Sequence, residues 1–98
     1  MEKFIYYNNL YTIYKSLLTE KKQEIFKLYY EDNYSLQEIA EKLNVSKSYI
    51  GNSIKNSEKK LTELEKSLKI YQKETIIRKV LNLENIQEIK KELKKILN

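Results

Sequence analysis

Apolar residues recur at helical spacing along the whole chain, and no stretch shows the strict alternation of a half-buried strand. Phe4, Tyr7, Tyr11, Tyr14 and Leu18 share one stripe, widened by Leu10, Ile13 and Leu17, which predicts an amphipathic helix over 2–18. Thr19 is placed to N-cap a second helix over 20–31, with Ile25, Leu28 and Tyr29 facing inward. Glu31, Asp32 and Asn33 form a polar stop. Ser35 and Glu38 have capping-box spacing and open a third helix over 36–43. Asn44 ends it, because asparagine tolerates the left-handed conformation of a tight turn. Ser46 caps a fourth helix, and no breaker follows before Asn82. Leu83 to Asn85 reads as a turn, and Asn85 with Glu88 forms a second capping box before a last helix over 86–97. The expected fold is all-α: a helix-turn-helix bundle with a long helix and a C-terminal helical hairpin. The expected division is a domain over 1–60 containing the motif (35–55) and an extension over 61–98.

The segment from Ser35 to Lys55 has the small and apolar spacing of a DNA-binding helix-turn-helix. Ala40 sits where the two helices cross and only a small side chain fits, and Ile39, Leu43, Val45, Ile50 and Ile54 would form the core between them. On that reading Ser46, Lys47, Ser48, Gly51, Asn52 and Lys55 face the major groove, with Ser35 and Gln37 near phosphate at the first helix's N-terminus.

The fourth helix carries a second pattern. Ile50, Ile54, Ser57, Leu61, Leu64, Leu68 and Tyr71 alternate by four and three, one heptad register with a single polar member. Such a helix outruns the small core of the motif. Its distal face, Leu61, Leu64, Leu68 and Tyr71, is the expected contact of a homodimer. The rival cover is the last helix, through Ile86, Ile89, Leu93 and Ile96.

Composition narrows the chemistry. The chain has no Cys and no His, so disulfides, thiolate catalysis, Cys/His zinc sites and histidine bases are excluded. One glycine and no proline leave no glycine-rich phosphate loop. Lysines and carboxylates fall into no catalytic spacing, so neither an enzyme nor a cofactor is expected. Short apolar runs and the lack of a secretory signal point to a cytoplasmic protein with no membrane insertion. The net charge of +5 is uneven: zero over 1–34, +2 over 35–60 and +3 over 61–98. A basic excess that begins at the motif suits a polyanion, although AT-rich codon usage also raises lysine content. The tyrosines at 6, 7, 11, 14, 29 and 30 invite base stacking, but Tyr7, Tyr11 and Tyr14 share the stripe of Leu18 and read as core or its rim.

The segments LLTEKKQEIFKLYY, YSLQEIAEKLNVS and SIKNSEKKL stand in the order and spacing of a known group. From Leu10 to about Leu64 the chain resembles the bacterial YlxM family, small proteins with a helix-turn-helix like region four of sigma factors. The long helix and hairpin beyond fit in outline. The resemblance implies a regulator of transcription that binds double-stranded DNA, and a link to components of the signal recognition particle pathway. The alternative reading is a protein-interaction adaptor that keeps the motif without binding DNA and acts on a component of that machinery, since a fold does not fix a function. Where the family usually has arginine, tyrosine and arginine in the recognition helix, this chain has Lys47, Gly51 and Asn56. Arginine makes the commonest bidentate contact to guanine, and lysine is less directional.

Overall fold

A computed structural model of the chain describes residues 2–97. Six helices follow in order: α1 Glu2–Tyr14, α2 Glu20–Tyr30, α3 Leu36–Leu43, α4 Lys47–Leu68, α5 Ile70–Leu81 and α6 Ile86–Leu97. There is no strand among the described residues, so the fold is all-α, with the motif and hairpin that the residue pattern predicts. The shape is elongated, 56 × 22 × 17 Å.

Local capping sets most boundaries. Thr19 accepts from the Lys22 N–H (3.3 Å) and opens α2. Its extended backbone stops the first helix early: α1 ends at Tyr14, a 3-10 turn spans Lys15–Leu17, and Leu18 turns extended into the core. Leu17, expected on the inward stripe, is therefore exposed. Ser35 and Glu38 form the full reciprocal capping box, 3.0 and 2.9 Å. Ser46 accepts from the Tyr49 N–H (3.0 Å), and Asn85 from the Glu88 N–H (3.1 Å). Asn44 adopts φ 56°, with the Val45 N–H bonding Ala40 O and the Asn44 N–H bonding Glu41 O. Those two bonds satisfy carbonyls that α3 would otherwise leave open.

The core gathers α1, α2 and α3 around α4. Leu10, Tyr14, Ile25, Phe26, Ile39, Ile50 and Leu61 are fully buried. Aromatic rings fill much of it: Tyr11 stacks on Phe26 at 5.0 Å and Phe26 on Tyr30 at 4.4 Å between centroids. Phe26 and Tyr30 face inward beside Ile25 and Leu28, whereas Tyr29 is only half-buried. Buried phenols find polar partners, as burial requires. Tyr11 donates to Gln23 O, Tyr14 to Glu65 and Tyr30 to Glu58. Ser57, the polar member of the heptad, is buried with no partner for its hydroxyl.

Two expectations about the long helix change. It does not run to Asn82: Lys69 takes φ 55° and separates α4 from α5. The cause is Glu65, whose carboxylate accepts from the Tyr71 N–H (3.0 Å) and the Gln72 N–H (3.0 Å) and so caps α5 from a turn upstream. Tyr14 donates to the same carboxylate at 2.7 Å, and its oxygen accepts from the Ile70 N–H at 3.2 Å. The expected dimer face is also divided. Leu61 is fully buried in the chain's own core and unavailable to a partner. Leu64 and Tyr71 are half-buried, with the Tyr71 hydroxyl taking a bond from Asn9 (3.4 Å); Leu68 alone of the four is exposed. Nor does α6 cover Leu61, since α6 pairs with α5.

Ala40 is buried at the α3–α4 contact, so Ala40→Leu should overpack it and cost about 1–3 kcal/mol, read as a lower thermal midpoint by circular dichroism. An unchanged midpoint would mean that contact accommodates a larger side chain. The Glu65 network makes a pH prediction. Burial first, and then the hydrogen bond to Glu65, push the Tyr14 phenol up to about 12 from an ordinary 10.0. A raised phenol favours the folded state while it stays neutral, so this stabilisation is complete below pH 10 and is lost as pH rises through about 12. Alkaline unfolding curves should show the loss, and Tyr14→Phe should flatten it.

Candidate nucleic-acid interface

The motif is built from α3, a three-residue turn and the first half of α4. Ile39, Ala40, Ile50 and Ile54 are buried between them, with Leu43 and Val45 half-buried at the edge. Burying one side of α4 dictates what the other side shows. Lys47, Ser48, Tyr49, Asn52, Lys55 and Asn56 are exposed on its first three turns, and Gly51 is half-exposed.

The residues expected at the groove therefore share one surface. Ser46 sits at its upper end as the cap, with its oxygen occupied by the Tyr49 N–H and its O–H free to donate outward. Ser35 and Gln37 lie at the start of α3 and are exposed. Ser35 accepts from the Glu38 N–H, which likewise leaves its O–H for an acceptor. Gln37 does not project freely: its amide donates to Glu41 at 3.0 Å. Two exposed residues of this surface, Tyr49 and Asn56, are not among those the motif spacing assigns to the groove. Their helical spacing from Asn52, three before and four after, is the signal that would have found them.

The electrostatics are one-sided. No acidic residue occurs from Ser46 to Ser57. Glu58 is the first on α4 and turns away, to Tyr30 and to Lys3 at 3.9 Å. On α3, hydrogen bonds from the Ser35 backbone and then its side chain hold the Glu38 carboxyl below its usual range, so it stays ionised within its cap. Lys47 and Lys55 thus offer positive charge beside hydroxyl and amide groups, a set suited to phosphate oxygens and base edges.

Gly51 has an ordinary helical φ, and a Cβ built there meets only Leu36 Cδ1 at 3.9 Å. Nothing inside the chain requires glycine at this position. Glycine leaves a shallow place on this half-exposed part of α4. No described helix is long and apolar enough to cross a membrane.

Comparison with known proteins gives a consistent assignment. A family model described as "Putative helix-turn-helix protein, YlxM / p13 like" matches residues 1–98. A UPF0122 protein of Mycoplasma capricolum is 40% identical over 82 residues, covering 84% of this chain and 73% of the relative. One from Geobacillus sp. is 44% identical over 73 residues, covering 74% of this chain and 66% of its own length. One from Lactococcus lactis is 41% identical over 71 residues, covering 72% and 64%. The chain, with its α3–turn–α4 motif inside a six-helix all-α fold, belongs to the UPF0122 family of YlxM / p13-like helix-turn-helix proteins.

Proposed function

We propose that this protein is a regulator that binds double-stranded DNA by inserting the first three turns of α4 into the major groove. The observation that carries the reading is the acid-free exposed side of α4. There Lys47, Ser48, Asn52 and Lys55 point away from the core with no carboxylate to neutralise them. Ser46 and Ser35 add hydroxyl donors at two helix starts, the arrangement that fixes a motif on the phosphate backbone. Asn52 can pair bidentately with adenine, and without a recognition-helix arginine guanine contacts are left to Lys47 and Lys55. Discrimination among sequences is correspondingly modest, and phosphate contact dominates affinity.

The second reading is an adaptor without DNA binding, acting on a component of the signal recognition particle machinery as the family resemblance implies. The exposed apolar side chains of α5 and α6 favour it. A salt titration of binding to duplex DNA separates the two. A DNA binder loses affinity steeply with salt, whereas an adaptor shows no binding even at low salt.

Lys47→Ala with Lys55→Ala should weaken DNA binding and reduce the slope of log K against log salt by about 0.9 for each phosphate that is no longer neutralised. Wild-type binding by this variant, with the fold intact by circular dichroism, would place the interface elsewhere. Gly51→Ala separates stability from recognition. The methyl meets no clash and removes the cost of a mid-helix glycine, so the thermal midpoint should rise, by about 0.5–1 kcal/mol of stability. DNA affinity should fall if the groove closes on the α4 backbone at this point. A lowered midpoint would show that glycine is needed by the fold itself.

A further inference from the structure

The start of α4 exposes an aromatic ring that the fold does not use. Tyr49 is 48% exposed. Its backbone N–H donates to Ser46, but its side chain makes no hydrogen bond and no close aromatic pair among the described residues. Tyr11, Tyr14 and Tyr30, by contrast, are buried and donate to partners. An open tyrosine is ordinary on a surface at large. This one stands in the first turn of the motif's second helix, the part that meets base edges when such a motif binds DNA.

Its neighbours on that surface are specific in kind. At about 100° per residue, Tyr49 and Asn56 fall nearly in line on one edge of the exposed side of α4. Ser48 and Lys55 fall in line on the other edge, and Asn52 lies between the two pairs. Tyr49, Asn52 and Asn56 span about 10 Å along the helix. Neither asparagine amide is bonded to another described residue, so a ring and two amides face outward together.

In the major groove adenine presents an acceptor at N7 and a donor at N6, and one asparagine amide matches both. Thymine adds a C5 methyl, an apolar target for an aromatic ring. Guanine presents two acceptors, so an amide satisfies one and sets its own carbonyl against the other. Cytosine offers a donor and no methyl. The one arginine of the chain, Arg78, is on α5, away from the motif. We infer that this surface reads A·T-rich duplex DNA, with Asn52 paired to adenine and the Tyr49 ring against the methyl of thymine. The inference rests on the DNA-binding reading above and makes Tyr49 a specificity-determining residue within it. Phosphate contacts act on every sequence, so the preference is graded rather than absolute.

The test is fluorescence anisotropy with the full chain at one low salt concentration, against alternating dA·dT, dG·dC and dI·dC duplexes of equal length. Inosine lacks the guanine amino group, so dI·dC shows an A·T-like minor groove and a G·C-like major groove. The dA·dT duplex should bind roughly tenfold more tightly than dG·dC, and dI·dC should bind like dG·dC. Replacing thymine by uracil removes only the methyl and should weaken wild-type binding about two- to fourfold. Tyr49→Ala should lose this sensitivity to the methyl, and Asn52→Ala should lower the dA·dT to dG·dC ratio about threefold. Both side chains are exposed, so both variants should keep the wild-type circular dichroism spectrum. Equal binding of dA·dT and dG·dC overturns the inference and leaves the DNA-binding reading standing. So does a dI·dC duplex that binds like dA·dT, which puts the reading in the minor groove, or a Tyr49→Ala variant that still senses the methyl. Failure of every duplex to bind overturns the DNA-binding reading itself, and this inference with it.

Discussion

Hydrogen bonds converging on Glu65 hold the two ends of this molecule in one arrangement. The carboxylate lies almost buried at the last turn of α4 and takes a phenol from α1 and two backbone N–H groups from α5. A left-handed residue other than glycine costs roughly 1–2 kcal/mol, and Lys69 adopts that conformation. Capping the first turn of α5 offsets this cost, because those N–H groups would otherwise lack partners away from water. Tyr14 ties the joint to the core. It is fully buried, and its oxygen both donates to Glu65 and accepts from Ile70. The direction of the hairpin therefore depends on a contact between residues 51 apart in the chain.

The aromatic composition serves the same end. A chain of this length has little core, and the fraction of surface it buries is correspondingly small. Tyr11, Tyr14, Phe26 and Tyr30 supply large buried area from few positions. Their hydroxyls add long-range tethers, Tyr11 to α2 and Tyr30 to Glu58 on α4. Burial, and then the bond to Glu58, also raise the Tyr30 phenol well above its ordinary range, so it remains a neutral donor. These residues are structural, and their rings are spent on one another rather than left for bases.

Positive charge is open at the motif and only partly paired at the hairpin. At the motif, lysines stand alone on the open side of α4 while the nearest carboxylates are tied up in a cap, a side-chain pair or the core. At the hairpin, Lys95 and then Lys79 close on Glu92 and hold its carboxyl below the usual range.

Short-range features were legible in the sequence because their causes are short-range. Thr19, the Ser35–Glu38 box, Asn44 and Ser46 act on backbone groups within three or four residues, and each stands where the sequence placed it. The exposed side of α4 followed from periodicity, since Ile50 and Ile54 must be buried and the opposite side must then be open. Tyr49 and Asn56 lie on that side as well. The tertiary structure alone decided where α4 ends and which part of its heptad stripe is core. Nothing between Gly51 and Asn82 breaks a helix by propensity, and the stop at Lys69 exists because Tyr14 and Glu65 meet in space. The same meeting starts α5 as a separate helix, while packing of α1 and α2 on α4 buries Leu61. Local order is written in neighbouring residues, but the burial of a stripe depends on what packs against it, and pattern alone does not carry that.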